Sequence, residues 1–81
     1  MNIRLTPRAK RDYVNLSPRL QRAVKKQFDF LAHNIRHPSL RAKKYDEADD
    51  IWQARINDDY RFYFRIADDE YRILRIIPHP K

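Results

Sequence analysis

The chain uses two hydrophobic periods, and the switch between them divides it into two halves. Asn2-Ile3-Arg4-Leu5 alternates polar and apolar side chains, which predicts a half-buried strand. Thr6-Pro7 then supplies an N-cap residue and a proline suited to the first helical position. Ala9, Tyr13 and Leu16 follow at i, i+4 and i+7, the apolar stripe of a helix. Ser17-Pro18 repeats the start signal, and Leu20, Val24, Phe28, Leu31 and Ile35 carry a second, longer stripe. His37-Pro38 predicts the end of that helix, because a proline pushes its predecessor out of the helical region. Two helices joined this closely are expected to form an antiparallel hairpin.

From Ser39 to Lys44 the chain reads as a basic linker, and beyond it the period falls to two. Ile51 to Ile56 predicts a strand, closed by Asn57-Asp58-Asp59. In the next strand Tyr60, Phe62, Phe64 and Ile66 share one face, and Arg61, Tyr63 and Arg65 share the other. Ala67-Asp68-Asp69-Glu70 is a turn leading to a last strand, Tyr71 to Ile77, stopped by Pro78. The chain has no glycine, so Asn and Asp must serve any turn position of positive φ. The expected fold class is α+β, ordered β-α-α-β-β-β, with the N-terminal helix hairpin packed on an antiparallel sheet. At 81 residues it allows a single domain, 1–81, with thin stability.

Composition narrows the chemistry. The absence of cysteine excludes disulfides, thiolate nucleophiles and Cys-built zinc sites. The absence of glycine excludes Gly-rich phosphate loops and dinucleotide fingerprints. No apolar run is long enough for a membrane span or a signal peptide, so no membrane partner and a cytoplasmic location are expected. Net charge is +7, unevenly spread: residues 1–44 hold twelve of the eighteen Lys and Arg but only Asp12 and Asp29 among the acids. The other acids cluster at Asp46–Asp50, Asp58–Asp59 and Asp68–Glu70. With those clusters in loops, the remaining faces are strongly positive and favour a polyanion as partner.

Arg61, Tyr63 and Arg65 alternate along one strand, and Arg55 can join their face from the neighbouring strand. Guanidinium forks bind phosphate oxygens, and a tyrosine ring can stack on an unpaired base. The plainer reading pairs these arginines with the acidic turns. His79, between Pro78 and Pro80, is a candidate general acid or base beside the arginines. His33 and His37 have a four-residue spacing known from metal sites, but Pro38 disturbs the helix there and no third ligand is near, so no metal is expected. Arg19, Arg22 and Lys26 read as a solvated helix face.

Together, Ile51-Trp52-Gln53-Ala54-Arg55-Ile56, a three-residue turn, Tyr60-Arg61-Phe62-Tyr63-Phe64, an acidic turn and a strand ending at His79 resemble the RelE/ParE toxin superfamily. The pattern is most similar to its YoeB-like and HigB-like members. Pro38-Ser39-Leu40-Arg41-Ala42-Lys43-Lys44 resembles the basic stretch before the family's second strand. The resemblance implies a type II toxin that cuts mRNA, commonly on the ribosome, without metal or other cofactor, and is silenced by a cognate antitoxin. It implies catalytic roles for His79, Arg61, Arg55 and Lys44, and RNA binding by Lys43, Arg41, Tyr63, Arg65 and Lys81. Two positions depart from the pattern: Ala42 falls where YoeB-like members carry a glutamate base, and Pro80 where a tyrosine often follows the histidine. The general base is therefore unassigned. A ParE-like DNA gyrase inhibitor without catalysis, or a non-catalytic RNA- or ribosome-binding module, shares the same elements.

Overall fold

A computed structural model describes residues 1–79. Strand β1 (Asn2–Leu5) leads into α1 (Pro7–Val14) and α2 (Pro18–His33). The chain then forms β2 (Lys43–Asp46), β3 (Ile51–Arg55), β4 (Tyr60–Ala67) and β5 (Glu70–Pro78). Both helix starts use the devices read from the sequence. The Thr6 hydroxyl accepts from the Ala9 amide and the Ser17 hydroxyl from the Leu20 amide, each with proline at the first helical position. Gln21 donates to the Tyr13 carbonyl at 2.9 Å and ties the start of α2 to the end of α1.

The fold class is α+β as expected, with three differences. First, α2 stops at His33 rather than running to His37. Asn34 is extended there, and its side-chain oxygen accepts from the Arg36 amide at 3.0 Å, a local turn that competes with the helix. Second, the basic linker is half strand. Lys43–Asp46 pairs antiparallel with β3 as an edge strand, bulged between Lys44 and Asp46. Its Lys-Lys-Tyr-Asp has no apolar alternation because backbone pairing rather than burial holds it, and lysines suit an exposed edge. Third, the sheet is mixed rather than antiparallel. Its order is β1-β5-β4-β3-β2, with β1 parallel to β5. The two helices carry the chain from one edge to the other, and the meander from β2 returns to β1 in the same direction.

The core lies between the helices and one sheet face: Ala9, Val24 and Leu31 meet Phe62, Phe64 and Ile73, all with no exposure. Phe28 packs edge-on against Phe62 at 5.1 Å between centroids. Strict alternation along β5 would put Arg75 on the same face as Tyr71 and Ile73. An extra residue prevents this. Tyr63 pairs with Arg75 and Phe64 with Ile73, so Leu74 bulges out and Ile76 turns inward instead. Asp12 of α1 covers the β5 backbone beyond the reach of β1, accepting from the Ile76 amide at 2.9 Å and from Arg75 at 2.8 and 3.3 Å. Among the described residues no helix is long and apolar enough to cross a membrane.

Candidate functional site

The sheet face away from the helices holds a cleft of about 260 Å³ lined by Arg41, Lys43, Gln53, Arg55, Arg61 and His79. Five of these are residues singled out from the sequence, drawn from four separate segments. Each is placed by backbone. The Arg55 amide donates to the Leu40 carbonyl at 2.7 Å, bringing Arg41 beside the end of β3. Lys43 pairs with Gln53 across the β2–β3 ladder, and Arg55 pairs with Arg61 across β3–β4. The His79 amide donates to the Asp59 carbonyl at 2.7 Å, which holds the end of β5 against the β3–β4 turn.

The electrostatics of the cleft are lopsided. Arg55 bonds to Asp58, so the plainer pairing with an acidic turn holds at that one position. Among the described residues, Arg61 donates only to backbone carbonyls, those of Asn57 and Tyr60. Among the described residues, neither Arg41 nor Lys43 has a carboxylate partner and no carboxylate lines the cleft. Like charges directly opposite in a ladder repel, and Arg55 and Arg61 are so placed. An anion between them relieves that repulsion. The His79 Nδ1 is buried with no hydrogen-bond partner among the described residues, and the backbone holds the residue in place.

Arg41 adds strain. Its φ of 46° is left-handed, and the other three such residues, Asp50, Asp68 and Asp69, are the turn aspartates that the lack of glycine requires. An arginine gains nothing locally from this geometry, which costs about 1–2 kcal/mol. The conformation is found where the side chain lines the cleft.

Other candidates lie elsewhere. Lys44 points away from Lys43. Its ammonium pairs with Asp50 and lies 3.8 Å from Glu47 and 5.2 Å from the Trp52 ring centre, so the structure does not bring it to the cleft. Those bonds push its pKa up, the Asp50 hydrogen bond most, against the opposing effect of desolvation. Glu47 is thereby also turned from the cleft and does not supply the missing carboxylate. Arg65 donates to the Asp49 carbonyl at 3.0 Å, at the far end of β4. Tyr63 lies next to the cleft, edge-on to Tyr45. Lys81 falls outside the described residues. His33 bonds to the Asp29 carbonyl, while His37 stacks on Phe30 and accepts from the Ser39 amide.

Two supporting residues escaped the sequence reading. Gln53, 8 % exposed, is a polar member of a strand and lines the cleft between Lys43 and Tyr63. Gln27, 3 % exposed, donates to the carbonyls of Ser39 and Arg55 and accepts from the Ser39 hydroxyl. It fastens the loop carrying Arg41 to the end of β3. The signal was present: Gln27 falls three residues after Val24 and four before Leu31, a polar side chain on the buried stripe.

A short α-α pair on a mixed five-stranded sheet is the fold of the solved RelE- and YoeB-like toxins. Residues 3–80 match the family described as the ParE toxin of type II toxin-antitoxin systems, parDE, and the chain belongs to that family, within the wider RelE/ParE/YoeB toxin superfamily. In structure it is similar to the YoeB/ParE toxin from Agrobacterium tumefaciens, with a TM-score of 0.82 at 14 % identity over 99 % of this chain and 100 % of that one. The YoeB dimer from Staphylococcus aureus gives 0.81 at 18 % identity over 99 % and 98 %. The toxin of the RelBE2 toxin-antitoxin complex from Mycobacterium tuberculosis gives 0.75 at 31 % identity over 99 % and 92 %. Among curated proteins, none matches the sequence significantly.

Proposed function

We propose that this toxin is an mRNA endoribonuclease acting with the ribosome, and that the cleft is its active site. The observation that supports this most is the convergence of Arg41, Lys43, Arg55, Arg61 and His79 on one cleft that no carboxylate lines among the described residues. In the reaction the 2′-oxygen of one nucleotide forms a bond to the adjacent phosphorus while the bond from phosphorus to the 5′-oxygen breaks. The products are a 2′,3′-cyclic phosphate and a 5′-hydroxyl. Arg61 stabilises the extra negative charge on the phosphorane, a donor of this kind being worth about 3–4 kcal/mol, and Arg41 and Lys43 add weaker phosphate contacts around it. Arg55, held by Asp58, reinforces the field. His79 gives a proton to the departing 5′-oxygen, a task for which imidazole suits neutral pH. No carboxylate lines the cleft among the described residues, so the 2′-hydroxyl proton is left to solvent or to a group of the ribosome. Positioning by the ribosome then carries more of the rate.

A cognate antitoxin is the expected regulator. The M. tuberculosis relative is a toxin-antitoxin complex, and a net charge of +7 favours an acidic partner segment over the cleft. The match to the ParE family favours a second reading, inhibition of DNA gyrase without catalysis. One experiment separates the two. Purified protein is incubated with translating ribosomes on a defined mRNA, and cut ends are mapped by primer extension, with His79→Ala alongside. Ribosome-dependent cuts that vanish in the variant support the nuclease. No cuts from a folded, still toxic protein whose toxicity survives His79→Ala would turn the assignment to gyrase.

A further inference from the structure

The open face carries a second region that the cleft leaves unused. Tyr45, Ile51, Tyr63, Leu74, Arg75 and Ile77 line a shallow, largely apolar depression of about 240 Å³. Tyr45 sits at the β2 bulge and is 61 % exposed, an aromatic side chain presented to solvent by a chain of mean hydropathy −0.92. Its ring meets that of Tyr63 edge to face, centroids 5.0 Å apart at 70°. Tyr63 is thereby braced, while most of the Tyr45 ring stays accessible. Burial pushes the Tyr63 phenol up and Tyr45 adds to this against the pull of Arg61, so it is a neutral platform at pH 7. Arg75 at the rim is already bonded to Asp12 and adds no free cation.

Depression and cleft are continuous in register. Tyr63 of the depression is the cross-strand partner of Gln53 of the cleft, and Ile77 is the partner of Arg61. Cross-strand partners lie about 5 Å apart, so cationic and aromatic surfaces adjoin without a gap. We propose that the Tyr45–Tyr63 depression receives a nucleobase of the single-stranded RNA whose phosphate lies against Arg61. This rests on the RNA reading of the cleft and deepens it. Every base has a π-face, so stacking here is tolerant of sequence and sets the register of the strand rather than a codon. A protein segment is the rival occupant. The base is favoured because the aromatic surface begins one ladder rung from the phosphate-binding cations.

The test uses a short fluorescein-labelled 2′-O-methyl RNA, which cannot be cut by its own 2′-oxygen, and copies carrying one abasic position each. Binding is followed by anisotropy for the native protein, Tyr45→Ala, Tyr45→Phe and Arg61→Ala, with thermal melts to confirm folding. Tyr45→Ala should weaken binding about tenfold and Tyr45→Phe should restore it. One abasic position should weaken the native protein by the same factor and leave Tyr45→Ala unchanged. Salt dependence should be unaltered in Tyr45→Ala and reduced by about one phosphate in Arg61→Ala. Native-like affinity in Tyr45→Ala with a loss in Arg61→Ala overturns the base subsite and leaves the cleft standing. Native-like affinity in both variants, or no binding by the native protein, overturns the RNA reading of the cleft and the subsite together. Intact RNA binding with loss of a co-purified protein partner in Tyr45→Ala makes the depression a protein-docking surface and overturns the proposal.

Discussion

Arg75 and Arg61 stand on adjacent strands of one sheet, in surroundings that differ in kind. Arg75 is clamped by both oxygens of Asp12, which also accepts from the Ile76 amide. Arg61 is anchored by two carbonyls, faces Arg55 across the ladder, and has no carboxylate of its own among the described residues. The first arrangement completes itself and fixes a helix to a strand edge. The second orients a guanidinium while leaving its charge uncompensated, as a group awaiting an anion must be. In a chain of +7, a basic residue is therefore read by what opposes it rather than by its presence.

The largest expected effect lies at the cleft. Arg61→Ala and His79→Ala should each lower the rate of ribosome-dependent cleavage roughly 10²–10³-fold. The Tm should stay level or rise, since losing Arg61 relieves its repulsion with Arg55. Parallel cleavage rates and thermal melts check this. A large fall in Tm for Arg61→Ala would erase the contrast with Arg75 and make both arginines structural.

Asp12→Ala should show the reverse pattern. Removing a partly buried acceptor of three hydrogen bonds from charged and backbone donors costs about 2–3 kcal/mol. For a domain this small that lowers Tm by about 10 °C or more, with cleavage unchanged well below the melt. Burial alone would push the Asp12 carboxyl up, but the bonds from Arg75 and Ile76 and the charges of Arg75 and Arg8 hold it below the ordinary carboxylate value. A depressed folded pKa gives stability that is present above the unfolded value, about 3.9, and lost as pH falls through the folded one. Native Tm should thus drop below about pH 4 more steeply than that of Asp12→Ala, as melts between acid and neutral pH would show.

Arg41→Gly separates strain from function more finely. Glycine takes φ 46° without the Cβ clash, yet it gains entropy in the unfolded chain, so the net gain is about 0.5 kcal/mol, a few degrees in Tm. Cleavage should fall roughly tenfold as one phosphate contact is lost. A variant that is more stable and less active would show that the left-handed conformation serves the cleft. If stability falls instead, the arginine side chain supports the fold and the strain argument fails.

How far this division was legible in the sequence follows from the physics involved. Helix starts at Thr6-Pro7 and Ser17-Pro18, the buried faces of α2 and β4, and the aspartates of positive φ are local signals that composition and period express. Arg55, Arg61, Lys43, Arg41 and His79 were legible as candidates through resemblance and strand parity. Their meeting in one cleft depends on β2, which backbone pairing creates without an apolar pattern. The Leu74 bulge and the Asp12–Arg75 clamp are long-range events, the partners of the clamp being 63 positions apart. No window along the chain contains both halves of such a contact. Gln27 differs, since its place on the apolar stripe of α2 marked it as a buried polar group in need of partners.

The smallest expected effect is the sharpest use of the contrast, because it compares two neighbours of identical chemistry. Lys43 and Lys44 share an edge strand, and resemblance alone gave Lys43 a role in RNA binding and Lys44 one in catalysis. Pleating sends them to opposite faces, Lys43 into the cleft and Lys44 to Asp50, Glu47 and the Trp52 ring. Lys43→Ala should reduce both cleavage and the salt dependence of RNA binding, by about one phosphate contact. Lys44→Ala should leave both within about twofold and barely move Tm, since exposed ion pairs contribute little. Equal losses from the two substitutions would mean that RNA engages the whole edge strand through its field rather than through the cleft. A loss confined to Lys43 would tie recognition to one face of one strand, where Arg61, His79 and Tyr63 also lie.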